Sequence, residues 1–212
     1  MKRIGFYFDV ISPFAYLAFE HLPQALVGCS YEVQYRPVLF AGLLGHWGNK
    51  GPAEIEPKRQ WTFRHVAWLS HTLHVPMETP AVHPFNPLPL LRLALACSAP
   101  GDTPNRRVVE ALMRHVWRGG ADAADPQRLR TLAEALAPQR DPASNDVKQE
   151  LRAFSDDALK RGVFGVPTLE VDGRLFWGID ALPMVRAALL DDAWFRGPQW
   201  DAAGLKRPGI AR

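Results

Sequence analysis

A serine followed by a proline stands where an apolar strand pattern gives way to a helical pattern near the start of the chain. Ile4 to Ile11 is short, aromatic and β-branched, which is typical of a buried strand. Ser12 is a preferred N-cap residue, and Pro13 suits the first helical position because its missing N–H would lack a partner there. A helix amino end carries free N–H groups and partial positive charge, so it stabilises an anion such as a thiolate. The Ser12 hydroxyl can donate one further hydrogen bond, while a role as N-cap alone explains the same residue.

Two later motifs offer groups that a peptide-like ligand can use. Val166-Pro167 precedes a late strand pattern. A cis peptide bond there turns the preceding backbone polar groups towards an extended peptide, whereas a trans proline merely starts the strand. Gly178, Ile179 and Asp180 follow a hairpin pattern, and Asp180 either caps the next helix or pairs with an α-ammonium group.

The remaining pattern places these motifs on an α/β fold. Residues 31–39 form a second strand pattern after the first helix, so the first two strands are expected to be parallel. Asp172-Gly173 between two apolar runs predicts a hairpin of strands 168–171 and 174–177. Pro23 is expected to kink or end the first helix, and the tail around Trp194 and Trp200 is expected to be irregular. Further helices are predicted over 58–74, 90–98, 105–118, 126–137, 145–161 and 181–190. We predict one α/β domain from residues 1–46 and 162–212, with an inserted all-α domain over 47–161.

Composition argues against several classes of function. The 212 residues carry a net charge of only +3 with scattered basic side chains, which does not favour nucleic-acid binding. Cys29 and Cys97 lie far apart without a CxxC motif, so neither a disulfide nor a metal site is predicted, and unpaired thiols fit a reducing cytoplasm. The amino-terminal apolar stretch is broken by Asp9, Ser12 and Pro13, which argues against a signal peptide or a membrane span.

Five segments of the chain match one family pattern. They are FYFDVISPFAYLA (Phe6 to Ala18), Arg36-Pro37, GNKGP (Gly48 to Pro52), RGVFGVPT (Arg161 to Thr168) and FWGID (Phe176 to Asp180). With these segments the chain resembles the kappa-class glutathione transferases and the bacterial 2-hydroxychromene-2-carboxylate isomerases, relatives of the periplasmic disulfide oxidoreductases. The resemblance covers essentially the whole chain and implies a thioredoxin-like domain with a helical insertion.

The resemblance also implies a glutathione site. Ser12 is expected to contact the glutathione sulfur and to be the catalytic residue, in the place where a disulfide oxidoreductase has its CxxC. The chain therefore cannot run dithiol–disulfide exchange at that site. The other residues expected to hold glutathione are Pro13, Phe14, Asn49, Val166, Pro167, Gly178, Ile179 and Asp180. Phe85 and Asn86, in the proline-rich HPFNPL segment, are expected to line the acceptor side, and His83 receives no role.

The function implied by the resemblance is glutathione-dependent isomerisation of a 2-hydroxychromene-2-carboxylate-like compound to trans-o-hydroxybenzylidenepyruvate, in aromatic catabolism. A kappa-type glutathione transferase or peroxidase, which consumes glutathione, is the first alternative. A non-catalytic thioredoxin-fold binding module is the second. The expected partners are glutathione and a small aromatic carboxylate, with a homodimer as a further possibility and neither nucleic acid nor membrane.

Overall fold

Two parallel strands and the helix between them form the first half of a four-stranded sheet. A computed structural model describes residues 1–205 and 207 of the chain. β1 (Lys2–Phe8) is followed by α1 (Pro13–Ala25) and β2 (Tyr31–Pro37), and the two strands run in parallel as predicted. β3 (Thr168–Val171) lies antiparallel on the other side of β1, and β4 (Arg174–Trp177) completes the order β2-β1-β3-β4. The predicted α/β class is therefore confirmed.

The hairpin between β3 and β4 has the two-residue turn that its sequence predicts. Val171 pairs with Arg174, which leaves only Asp172 and Gly173 in the turn. Their φ angles are 50° and 76°, so both residues adopt the left-handed conformation that tight hairpins require.

A long helical segment separates β2 from β3. It contains α2 (Phe40–Trp47), α3 (Glu56–Leu73), α4 (Leu88–Ala96), α5 (Arg106–Trp117), α6 (Pro126–Leu136) and α7 (Asn145–Lys160). A 3-10 turn at Pro52–Glu54 lies between α2 and α3. After β4 come α8 (Leu182–Leu189) and α9 (Pro198–Ala203), with 3-10 turns at Ile179–Ala181 and Ala193–Arg196. The six helices predicted after β2 are confirmed to within two residues at each end. The division into two domains at residues 47 and 161 stays a prediction.

Within residues 1–205 and 207, no helix is both long and apolar enough to cross a membrane.

Helix α2 is absent from the sequence-based prediction because its stability comes from elsewhere in the chain. Gly42 and Gly45 lower its intrinsic helix preference, and its N-cap residue Leu39 makes no side-chain capping bond. The first backbone N–H of the helix, at Phe40, instead donates to the Asp9 carboxylate at 2.9 Å. The cap thus comes from the end of β1 and is invisible to a local pattern.

The structure agrees with one local expectation and corrects another. α1 ends at Ala25, two residues beyond Pro23, in keeping with the prediction that Pro23 kinks or ends this helix. The tail is not irregular, because Trp194 lies in a 3-10 turn and Trp200 lies in α9. Asp192 accepts a hydrogen bond from the Trp194 N–H at 2.9 Å, which starts that turn with an ordinary acidic cap.

One apolar core connects the sheet with the helical segment. The rings of Phe6, Phe19 and Tyr35 contact one another with centroid separations of 5.5 to 6.5 Å. Trp117 of α5 is fully buried and stacks on Tyr16 of α1 at 6.4 Å. A buried indole needs a hydrogen-bond acceptor, and Trp117 Nε1 donates to the Val10 carbonyl at 2.8 Å. α5 is thereby fixed against the turn that follows β1.

Candidate functional site

The turn from β1 into α1 presents Ser12 as an N-cap. Ser12 has extended backbone angles (φ −90°, ψ 117°), and its Oγ accepts a hydrogen bond from the Ala15 N–H at 3.2 Å. Pro13 occupies the first helical position, where its missing N–H costs nothing. The capping interpretation of Ser12 is therefore confirmed, and α1 begins with its positive end at this turn.

Ser12 lies against the segment that contains Pro167, which comes from the far end of the helical segment. The Val166-Pro167 peptide bond is cis. The Ser12 Oγ–H donates to the Val166 carbonyl at 3.4 Å, a long and therefore weak hydrogen bond. Ser12 is only 6% exposed, so its hydroxyl has few alternative partners. The structure thus brings together the two motifs that the sequence singled out.

A cleft of about 670 Å³ opens beside these two motifs. This volume falls within the range of small-molecule sites, and the walls are mainly apolar. The predicted glutathione residues that line the cleft are Phe14, Val166, Pro167, Gly178, Ile179 and Asp180. Ser12 and Pro13 do not line it themselves. Ser12 reaches its edge through the contact with the Val166 carbonyl.

Asp180 stands at one side of the cleft and does not serve as a helix cap. Helix α8 starts at Leu182 without any side-chain capping bond, so the capping interpretation of Asp180 is wrong. Its carboxylate is exposed and forms no ion pair within the described part of the chain. The Gly178 N–H donates to the Pro167 carbonyl at 2.9 Å, which ties this segment to the cis-proline segment. The site therefore combines a carboxylate with the backbone groups of the neighbouring cis-proline segment.

Gly178 adopts a conformation that other residues avoid, with φ 95° and ψ 161°. A Cβ atom there would also overlap Asp180 Oδ1. We expect Gly178→Ala to lower the free energy of unfolding by about 1–3 kcal/mol, measured by urea denaturation. Gly45→Ala is the matched control, since a Cβ at that helical glycine meets no atom within 4 Å. The control should gain about 0.5–1 kcal/mol. A Gly178→Ala protein as stable as the wild type would contradict the prediction.

Besides Ser12 and Pro13, three more predicted site residues do not line the cleft. Asn49 is exposed after α2, and its backbone N–H donates to the Leu44 carbonyl at 2.9 Å. Phe85 is buried in the core, and Asn86 accepts a hydrogen bond from the Leu88 N–H at 3.1 Å at the start of α4. Contacts of Asn49 with glutathione, and of Phe85 and Asn86 with an acceptor, stay predictions.

The cleft is lined by three residues with aromatic rings that sequence reasoning missed, which are His21, His65 and Trp177. His65 of α3 lies 5.6 Å from the Phe14 ring, and its own ring stacks between Trp61 and Trp68 at 6.1 and 6.4 Å. Trp177 lines the cleft beside Gly178. The spacing of residues 61, 65 and 68 places all three rings on one helix face, which is a signal that the sequence already contained.

Asp9 is a fully buried carboxylate at the base of the Ser12 turn. Its Oδ1 accepts from the Ile11 N–H at 3.1 Å and its Oδ2 accepts from the Phe40 N–H at 2.9 Å. Burial raises the pKa of Asp9 to about 7, although the two backbone donors act in the opposite direction. Through these two hydrogen bonds, Asp9 joins the Ser12 turn to the start of α2.

Comparison with known proteins shows the family to which the chain belongs. The family model described as a DSBA-like thioredoxin domain matches residues 3–190. The chain belongs to the DSBA-like thioredoxin family. It is 32% identical over 205 residues to a 2-hydroxychromene-2-carboxylate isomerase from Sphingobium xenophagum, a match that covers 90% of this chain and 99% of that protein. It is 28% identical to glutathione S-transferase kappa 1 from Rattus norvegicus, with 93% and 94% of the two chains covered.

Solved structures place the DSBA-like chain in the same fold. A 2-hydroxychromene-2-carboxylate isomerase structure superposes with a TM-score of 0.73 at 24% identity and covers 96% of this chain and all of that one. The thioredoxin-like fold expected from the resemblance is thereby confirmed. Coverage of both chains is nearly complete, so the helical segment belongs to the shared architecture.

This DSBA-like chain carries no thiol where Ser12 stands. Its two cysteines, Cys29 and Cys97, are both free and half-buried, and neither lines the cleft. Dithiol–disulfide exchange needs a thiolate at the reacting position. Dithiol–disulfide exchange at the Ser12 position therefore has no thiol of the chain to use.

Proposed function

We propose that the chain is a glutathione-dependent isomerase of 2-hydroxychromene-2-carboxylate-like compounds. The single observation that carries the proposal is the Ser12 hydroxyl at the amino end of α1, 3.4 Å from the carbonyl that precedes the cis-proline. The named activity of the Sphingobium xenophagum relative supports the isomerisation, and the name of the kappa relative supports the use of glutathione.

The cleft has the groups that a tripeptide of this kind needs. The backbone of Val166 borders the cleft and can pair with the extended cysteinyl residue, as a neighbouring strand would. The exposed Asp180 carboxylate can pair with the α-ammonium of the γ-glutamyl end. Ile179 offers only its backbone polar groups to that end. When bound, glutathione supplies a thiolate that adds reversibly to a conjugated double bond, which permits rotation about that bond.

In this proposal the residues of the chain stabilise the glutathione thiolate. The Ser12 Oγ–H gives up a weak bond to the Val166 carbonyl and donates to the sulfur, while its oxygen keeps the Ala15 N–H. The helix end stabilises the same negative charge. Phe14, His65 and Trp177 provide aromatic walls against which a planar substrate packs.

The assay that tests this proposal follows isomerisation of the chromene carboxylate while the concentration of glutathione is varied. We expect many turnovers per glutathione and an unchanged thiol concentration. Asp180→Ala should raise the half-saturating concentration of glutathione about tenfold, because one charged hydrogen-bonded partner is lost. Asp156→Ala is the control, since Asp156 is an exposed carboxylate of α7 that does not line the cleft.

The other candidate functions give different results in the same assay. A kappa-type transferase consumes one thiol for each product molecule, and a non-catalytic binding module gives no product at all. Isomerisation that proceeds equally well without any thiol would contradict the proposed role of glutathione. The aromatic carboxylate substrate, the homodimer and the cytoplasmic location stay predictions under this proposal.

A further inference from the structure

Two side chains of the helical segment hold the backbone of the turn that precedes Ser12. Trp117 Nε1 donates to the Val10 carbonyl at 2.8 Å, and His83 Nε2 lies 3.0 Å from the Ile11 carbonyl. A carbonyl in such surroundings needs a donor, since an unpaired polar group away from water is costly. The turn is therefore positioned by contacts from outside its own strand and helix.

The hydrogen bond to Ile11 settles which His83 nitrogen carries the proton. A carbonyl only accepts, so Nε2 must be the donor, and Nδ1 of the neutral ring is then an acceptor. Nδ1 is buried and has no hydrogen-bond partner among the described residues. Burial lowers the pKa of His83, and the nearby Arg59 charge acts in the same direction, whereas the bond to Ile11 opposes both. His83 is thus a neutral donor near neutral pH.

Three aromatic rings surround the His83 imidazole, and the Arg59 guanidinium lies nearby. Its ring lies 5.2 Å from Phe63, 6.2 Å from Phe85 and 5.8 Å from Trp117. An apolar residue would avoid the unpaired Nδ1, but it would leave the Ile11 carbonyl without the donor that His83 supplies. Among the described residues, the bond to Ile11 is the polar contact that the imidazole ring makes, and it accounts for a histidine at this position.

One peptide plane transmits the effect of His83 to Ser12. The plane between Ile11 and Ser12 carries the Ile11 carbonyl at one end and the Ser12 N–H at the other. The carbonyl is held by His83, and the Ser12 N–H donates to the Asp9 backbone carbonyl at 3.1 Å. Rotation of this plane would change φ of Ser12 and displace both its Oγ and the first turn of α1.

We propose that His83 is a positioning residue, whose Nε2–H fixes the Ile11–Ser12 peptide plane and so aims the Ser12 hydroxyl and the α1 amino end at the sulfur. This inference rests on the proposed function. His83 itself touches neither glutathione nor substrate. Its loss should therefore affect thiolate formation and turnover, whereas glutathione affinity depends mainly on the cis-proline segment and Asp180.

The decisive experiment titrates the thiol of bound glutathione by its thiolate absorbance near 240 nm. His83→Phe keeps an aromatic ring but removes the donor, and it should raise the pKa of the bound thiol by about one unit and lower kcat about tenfold. Glutathione affinity, measured by calorimetry, should stay within about threefold of the wild type. His83→Gln retains an N–H donor of similar reach. It should therefore keep the pKa of the bound thiol and kcat close to their wild-type values.

The control for packing is Phe63→Leu, which removes a ring neighbour of His83 and leaves the donor in place. It should lower Tm without moving the thiol pKa. Should His83→Phe fail to fold, His83→Met serves as the apolar variant. If the apolar variant leaves the thiol pKa and kcat unchanged, the inference about His83 is wrong while the proposed function stands. If wild-type protein shows no thiolate band with glutathione, the proposed function fails, and this inference fails with it.

Discussion

Ser12→Ala is expected to reduce isomerase turnover at saturating glutathione by about a hundredfold or more. Removal of one preorganised donor to a developing or bound anion has this size of effect in other enzymes. The variant also loses the bond from Oγ to the Ala15 N–H. That loss of an N-cap lowers the free energy of unfolding by about 1 kcal/mol, measured by urea denaturation.

Ser144→Ala separates the two consequences of the Ser12 substitution. Ser144 is the N-cap of α7, and its Oγ accepts from the Val147 N–H at 3.4 Å, far from the cleft residues in sequence. We expect a similar loss of stability and unchanged turnover in this control. If the two variants turn over at the same rate, Ser12 is an N-cap and nothing more.

Asp9→Asn is expected to remove a large pH dependence of stability. Burial raises the pKa of Asp9 in the folded chain to about 7, above the ordinary value of 3.8. Between these two values the folded state holds a proton that the unfolded state has released. The free energy of unfolding therefore falls as pH rises through this window and levels off above about pH 7, with a total change of up to about 4 kcal/mol from this one group.

The measurement compares urea unfolding of wild type and Asp9→Asn at about pH 4.5 and about pH 8. Asparagine cannot titrate, and it loses one of the two bonds from Ile11 and Phe40 at every pH, because its amide nitrogen is a donor. From about pH 4.5 to about pH 8, the free energy of unfolding of the wild type should fall by about 3 kcal/mol relative to that of the variant. A difference that does not change with pH would mean that the two N–H donors keep Asp9 ionised throughout.

The parts of the fold that sequence alone predicts are those decided by neighbouring residues. The N-cap at Ser12 and the two-residue turn at Asp172 and Gly173 follow from local backbone chemistry, and both are present. Helix α2 was missed because its first N–H is capped by Asp9, which precedes it by a strand and a helix. A window of local sequence does not contain such a partner.

The candidate site follows the same division between local and distant causes. Phe14, Val166 and Asp180 reach the cleft because each lies beside a turn or a cis-proline that its own segment specifies. Asn86 precedes α4 and accepts a hydrogen bond from the Leu88 N–H, two residues further on, which is an Asx turn that its local sequence also allows. His65 depends on how α3 packs beside Phe14, so its place at the site emerges only with the complete fold.

The central position of β1 has a consequence for synthesis on the ribosome. Its partner β2 is complete at residue 37, whereas its other partner, β3, ends only at residue 171. During translation β1 thus keeps the N–H and C=O groups of one edge unpaired while the whole helical segment emerges. Exposed edges of this kind promote association between chains. The nascent polypeptide is therefore most prone to aggregate late in its synthesis, just before the hairpin closes the sheet.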